Sequence, residues 1–539
     1  MSLSNSDPIP IIDLFAGPGG LGEGFSAWPR GKKKRFKIAL SIENNDSAHK
    51  TLTLRAFFRQ FPEGGVPNEY YQYLRGEIDR ENLFGVFPME AEAARNEAQC
   101  LKLGEDDVST LIGPRIKGAK HWVLIGGPPC QAYSLVGRSR RLGGLVHAKS
   151  ETTEEFETRK SAHLAQFETD EKHQLYREYL KIIGDHWPSV FVMENVKGIL
   201  SAKLNGKLIF PKILADLQNP SVALQKTGKS YRYTIRSLTL PIAGDPPNKL
   251  SPADFLIHSE SYGIPQARHR VILVGIREDV PNDSFAVLSR AKTRTVKETI
   301  SDLPKLTPGI SKERDLSLVT ALRSLKDQQW WREVNSDPAL SKVSDCIERV
   351  LIRISAKPNR GSAFVQTGPA RSDPWFTDPQ LNGVCNHETR SHITSDLWRY
   401  VFCASYAQEN SDKAPQLRDF PRGLLPAHKN VEEAISGKKF GDRFRVQVAS
   451  KPATTVTSHI SKDGHYYIHY DPQQFRSLTV REAARLQTFP DNYFFEGPRT
   501  SQYHQVGNAV PPFLAYQIAE IVSDLFNHRA ASVSPRPFK

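Results

Sequence analysis

The first half of the chain alternates short, wholly apolar runs with longer amphipathic stretches. Residues 9–15 (IPIIDLF) read as a buried strand, and a glycine-rich turn at 16–22 (AGPGGLG) leads into a short helix over 23–28. A second apolar run, 37–42, ends in Glu43. Further buried strands are predicted at 121–125, 190–193 and 270–276, with helical periodicity between them, as over 172–183. Strands covered on both faces lose the in–out alternation of half-exposed ones and read as continuous apolar runs. Such runs alternating with helices predict an α/β fold on a doubly wound, Rossmann-like parallel sheet.

That rhythm stops near residue 285. From 286 to 450 Pro, Gly, Arg and Trp are scattered without βα alternation, and a second, smaller and irregular domain is expected there. Helical patterns return at 479–488 and 513–526, so residues 451–539 are expected to rejoin the first domain (1–285) before a polar tail at 532–535 frays. Two polar stretches, 61–102 and 135–169, read as insertions into the sheet domain, and no internal repeat is visible. The Trp330-Trp331 pair reads as core.

Composition narrows the picture. A chain of 539 residues allows two to four domains, and 39% hydrophobic residues suffice for a core. Lys and Arg outnumber Asp and Glu by 72 to 59, which gives the net charge of +13 and suits a polyanionic partner without identifying one. The five cysteines are too few, and odd in number, for a disulfide framework, which points to a reducing compartment. No basic segment precedes the first apolar run, which Asp13 interrupts, so a signal peptide is not expected. No apolar run approaches the ~18 residues of a spanning helix, and a cytoplasmic protein is expected.

Four candidate elements carry chemistry. The glycine turn is followed, about 20 residues on, by Glu43 at the end of the second strand, where a carboxylate can take both hydroxyls of a ribose. The turn lacks the Lys-Ser/Thr ending of a phosphate-cradling loop, so it suits an adenosine ligand with little demand for phosphate. Directly after the strand ending at Ile125 comes Gly126-Gly127-Pro128-Pro129-Cys130. A buried structural cysteine is the ordinary reading, but two prolines stiffen the approach to a thiol at a strand's carboxyl end, where a thiolate is a good nucleophile. Glu194, at the end of another strand, is either a solvated cap or a carboxyl able to hold a proton for a ring nitrogen. Arg268 and Arg270 are two apart and share a side in extended backbone, an arrangement that wants an anion or a carbonyl opposite.

With these residues in view, the chain resembles the DNA (cytosine-5) methyltransferases, above all the bacterial restriction–modification type. The resemblance rests on six ordered blocks: DLFAGPGG at 13–20, GGPPCQAYS at 126–134, ENVKG at 194–198, QARHRVILVG at 266–275, LTVREAARLQTFPD at 478–491 and QVGNAVPP at 505–512. It implies Cys130 as the nucleophile toward cytosine C6, Glu194 at N3, Arg270 at O2, and Arg268 supporting the pocket or a phosphate. It implies S-adenosylmethionine as cofactor, contacted by Phe15, Ala16, Gly17, Gly19, Gly20, Leu21, Glu43, Pro129, Asn508 and Val510, with Asp106 as the acid near the adenine amino group. The resemblance further implies base flipping of a double-stranded DNA target. Gln131, Ser134, Arg138 and Arg140, with Arg141 beside them, are implied to meet the DNA, and residues 286–450 to recognise the site. A cytoplasmic, nucleoid-associated monomer with a separately acting cognate endonuclease follows from the same comparison. Two alternatives stay open: a tRNA cytosine-5 methyltransferase, against which the large 286–450 region argues, and an inactive DNA-binding relative, against which the intact Cys130, Glu194 and arginine pair argue. Cys385, His387, His392 and Cys403 carry ligand-type side chains, but at no standard zinc spacing; a core or DNA-facing cluster is preferred, and no metal is expected.

Overall fold

The computed structural model describes residues 7–129, 171–204, 206–241, 250–282, 285–312, 316–355, 357–367, 373–426, 431–436 and 443–526. Among them runs an eight-stranded sheet. Its strands, in chain order, are β1 (Ile9–Leu14), β2 (Phe36–Glu43), β3 (Ala98–Cys100), β4 (Val123–Gly126), β5 (Val190–Val196), β6 (Tyr233–Arg236), β7 (Leu256–His258) and β8 (His269–Arg277). They lie in the order β3-β2-β1-β4-β5-β8-β6, with β7 also paired to β8. The first five are parallel, and β8 runs antiparallel to β5, β6 and β7.

The order turns back between β1 and β4, which is where open α/β sheets bind ligands. Register sharpens this: Leu14 pairs with Gly126, and Gly126 with Met193, so β1 and β4 end level with Met193 of β5, which runs on beside β8 to Val196. Phe15, Gly127 and Glu194 therefore emerge side by side.

Alternate residues of each strand feed two cores. On one face Ile11, Ile38 and Val123 pack with Phe25 of helix α1 (Gly20–Ala27) and with Leu514, Ile518 and Val522 of the helix Pro512–Leu525. On the other, Ile12, Leu40 and Leu124 meet Tyr179, Leu180 and Ile183 of the helix Glu171–His186. Each such side chain contributes about 1.5–3 kcal/mol on burial. Helix α2 (Asp46–Arg59) starts at Asn45, whose side chain accepts the Ala48 N–H at 3.0 Å, a cap worth about 1 kcal/mol.

Three regions differ from expectation. The stretch read as an insertion at 61–102 folds into helices Asn68–Arg75, Arg80–Val86 and Pro88–Glu97 and then supplies β3, a sheet strand too short for a hydrophobic pattern to reveal. Strand β6 is an edge strand of four residues hidden in polar text. The supposedly irregular 286–450 region carries the helices Leu318–Arg323, Gln329–Ser336, Ser341–Arg353 and Thr394–Glu409, packed around Trp330, Ile347, Val401 and Phe402. Its apolar positions recur at helical spacing, as Val343, Ile347, Val350 and Leu351 do, but turn residues between short helices break the pattern. No helix among the described residues is long and apolar enough to cross a membrane.

Candidate active site

The level strand ends open into a cleft of about 700 Å³. Its walls are Phe15, Ala16, Gly17, Gly20 and Leu21 of the turn after β1, Glu43, residues 101–103 after β3, Pro129, Glu194, Arg268, Arg270, Asn508 and Val510. A larger cavity of about 970 Å³ lies behind α1 and α2. It is away from the strand ends, and its arginines Arg55 and Arg59 are already paired with Glu23 and Glu97.

At the end expected to take the cofactor, the turn is held by Glu43. Gly17 donates its N–H to Glu43 Oε2 at 2.8 Å, and Asn45 donates to Oε1 at 2.7 Å. The Asn44 backbone also donates to this carboxylate, whose remaining lone-pair capacity can still take a hydroxyl. Burial pushes its carboxyl above the usual range, opposed by these backbone donors. Phe15 has φ 56°, a left-handed conformation that costs a non-glycine residue on the order of 1 kcal/mol and is typical of functional turns. Gly20 is required by close approach: a Cβ there would lie 2.2 Å from the Val510 carbonyl oxygen. The absent side chain thus lets the 508–510 segment close the cleft over the turn.

Two expected cofactor residues stand elsewhere. A Cβ on Gly19 would point at Leu52 and Tyr493, so this residue shapes the turn from its far side. Asp106 is exposed, accepts the Lys102 N–H at 2.7 Å and is not among the cleft walls, which at that point are residues 101–103. The turn that seats Asp106 is closed on its own backbone, which a short motif cannot reveal.

At the other end, Glu194 and Arg270 face each other, Arg270 Nε 2.9 Å from Glu194 Oε1, both largely buried. Asn195, to which no role was attached, donates Nδ2 to the Pro128 carbonyl at 3.2 Å and ties the Gly126–Pro129 loop to β5. Gly127 lets that loop lie over the acid, since a Cβ would sit 2.9 Å from Glu194 Oε2. Arg268 lines the cleft beside Arg270, but it is 2% exposed and its Nη1 donates to the carbonyls of Val456 (2.9 Å) and Gly507 (3.2 Å). This placement corrects the phosphate half of its expected role: Arg268 holds chain segments together. Gln266 does similar work, bonding Gln487 at 3.0 Å and accepting the Val456 N–H at 2.6 Å, while Gln487 reaches the Val506 carbonyl at 2.7 Å.

Asp13 is a feature that motif reasoning passed over. It sits wholly buried in β1 beside Gly22, with neither carboxylate oxygen in a well-formed hydrogen bond among the described residues. Burial pushes its carboxyl up to about 8. Cys130, Gln131, Ser134, Arg138, Arg140 and Arg141 lie outside the described residues, whose loop reaches Pro129 at the cleft wall. His387 spends both ring nitrogens on Thr479 Oγ1 and the Pro304 carbonyl, each at 2.9 Å, and Cys403 is buried in the helical cluster.

Residues 95–221 and 252–524 match the family described as C-5 cytosine-specific DNA methylase. Among curated relatives, the type II methyltransferase M.Bpa9945I of Bacillus paralicheniformis is 32% identical over 541 residues, covering 96% of this chain and 99% of that protein. The type II methyltransferases M.AgeI of Thalassovita gelatinovora (25% identical, 95% of this chain, 98% of that one) and M.DdeI of Desulfomicrobium norvegicum (24%, 96% and 89%) are also similar.

Proposed function

The chain belongs to the C-5 cytosine-specific DNA methylase family, and from that membership we propose that it methylates C5 of one cytosine within a specific duplex DNA site, with S-adenosylmethionine as donor. The observation that carries the reading is the cleft at the sheet's switch point. It has an acid suited to a diol, Glu43, at one end and the Glu194–Arg270 pair at the other, with Pro129, the residue before Cys130, on its wall.

The donor set fits the cofactor. The open turn at Gly17, the carboxylate of Glu43 and the Asn508–Val510 edge would hold it, and when bound it supplies an electrophilic methyl group. The protein's own groups do the rest. The Cys130 thiolate adds to C6, and electron density moves to N3 and O2 of the ring. Glu194 meets N3 with a proton or hydrogen bond and Arg270 meets O2, stabilising the charge where it develops. C5 is then nucleophilic; after methylation, loss of the C5 proton and of the thiolate restores the aromatic ring. A stacked base cannot present C5 and C6 to groups on both its faces, so the cytosine leaves the helix. Arg268, through Val456 and Gly507, keeps the wall behind Arg270 in place.

Residues 286–450 serve as the target-recognition domain, and the basic segment 138–141 contributes phosphate contacts. The biological role is protection of host DNA from a separate cognate endonuclease, by a monomer acting on cytoplasmic DNA. Labelled cofactor tests the reading: Cys130→Ala should abolish methyl transfer to duplex DNA and retain cofactor binding. Duplex DNA carrying 5-fluorocytosine at the target should trap a covalent adduct, because fluorine cannot leave C5 as a proton does. Substantial methylation by Cys130→Ala, or preference for tRNA over duplex DNA, would overturn the proposal.

A further inference from the structure

The reverse side of β8 carries a cluster that the methylation chemistry does not use. Strands β7 and β8 pair with His258 opposite His269, and the imidazole centroids are 4.1 Å apart. The turn after β7 brings Glu260 against both: its Oε1 is 2.9 Å from His269 Nε2 and 3.9 Å from His258 Nδ1. One ligand atom from each of the three residues lies within 4.8 Å of the other two. Tetrahedral zinc with bonds of about 2.0–2.1 Å holds its ligand atoms about 3.4 Å apart, and the two measured edges bracket that value.

A plain Glu260–His269 ion pair leaves much of this unexplained. Glu260 Oε2 is buried with no hydrogen-bond partner among the described residues, a costly state for a carboxylate oxygen. It also gives no reason for a second imidazole to share the same acid. Two histidines and a carboxylate are a common donor set for borderline divalent ions, and zinc imposes no geometry of its own. The side chains are 49%, 22% and 32% exposed for His258, Glu260 and His269, so ion and water can enter while the acid stays sheltered.

We propose that His258, Glu260 and His269 bind one divalent transition ion of the zinc class, with water in the fourth position. Its role is positional. His269 stands between Arg268 and Arg270, and successive residues of a strand point to opposite faces, so the ion lies on the reverse side from Glu194. The His269 carbonyl accepts Arg270 Nη1 at 2.9 Å, and Ser259 Oγ donates to the carbonyls of Gln266 (2.9 Å) and Arg268 (2.7 Å). An ion bridging the Ser259–Ser261 turn to His269 staples this backbone and steadies Arg270 from behind.

The test uses the full chain without a polyhistidine tag, stripped by chelator and titrated with cobalt(II). One equivalent should bind with the visible d–d absorption of a near-tetrahedral site, and zinc should displace it. His258→Ala removes the most exposed ligand, and Glu260→Gln keeps the acid's shape; each should lose the absorption and weaken binding about tenfold or more. Zinc should raise the thermal midpoint of the parent and of neither variant. No stoichiometric cobalt signal in the parent, or an unchanged signal in both variants, would overturn the site.

Discussion

Single side chains divide the work at the cleft, and two of them give expectations of opposite kinds. Glu194 pairs with Arg270 at 2.9 Å and touches the reacting ring in the proposed mechanism. Glu194→Gln keeps the shape but not the proton relay, so turnover should fall by on the order of 10²–10⁴ while DNA affinity changes far less; single-turnover rates against equilibrium binding separate the two. Asp13 acts on stability. Its carboxyl, pushed up to about 8, is neutral in the folded protein at pH 7 and ionised in the unfolded chain, whose value is near 3.8. The folded state therefore holds the extra proton, and this group's contribution is complete below pH 4 and is lost as pH rises toward 8. Asp13→Asn removes that dependence. Its stability relative to the parent should improve between pH 4 and 8, at no more than about 1.4 kcal/mol per pH unit, as followed by urea unfolding across that range. At this scale the sequence was most legible where a residue type is tied to a motif, as for Glu43, Glu194 and Arg270. Asn195, Gln266 and Gln487 escaped because their partners, backbone groups and in one case each other, lie in distant segments, which no local spacing encodes.

Elements explain which parts of the fold could be read. β1, β2, β4, β5 and β8 are long or wholly apolar, and burial on both faces writes them plainly into the chain. β3 and β6 have three and four residues, and their pairing is decided by the neighbouring strand rather than by their own composition. The helices within 286–450 are short and separated by turns, so their periodicity never runs long enough to stand out. The contact between α1 and the 508–512 segment is a second element-scale consequence. At Gly20 a methyl group meets backbone, not a side chain that could swing aside. Gly20→Ala should therefore push the segment off the turn, weakening cofactor binding about tenfold or costing roughly 1–3 kcal/mol in stability. Calorimetric titration with the cofactor, beside a denaturant melt, reads both.

Across the whole molecule, buried histidines set a limit on the acid side. Burial lowers His387 to about 4 and His392 to about 3, so both stay neutral in the fold while the unfolded chain takes up protons near 6.5. The stability they permit is present above pH 6.5 and is lost as pH falls toward 4 for His387 and toward 3 for His392, so the thermal midpoint should drop steadily through that window. His387→Gln should flatten the decline in a pH series of melts. One hydrophobic cluster, around Trp330, Val401 and Phe402, stands apart from the sheet residues, while Val384 packs with Val480 and Val506, and Leu381 and Cys385 pack with Leu52 and Phe57.

One arrangement bears on how such a protein comes into being on the ribosome. The cleft wall at Asn508 and Val510, and the helix Pro512–Leu525 that braces α1, are made from residues synthesised hundreds of positions after the turn they complete. A nascent polypeptide that has already emerged through Glu194 and Arg270 still lacks one wall of the cleft. Under the proposed function, modification competence would await that last segment, and an abortive translation product would be inert rather than indiscriminate toward the genome.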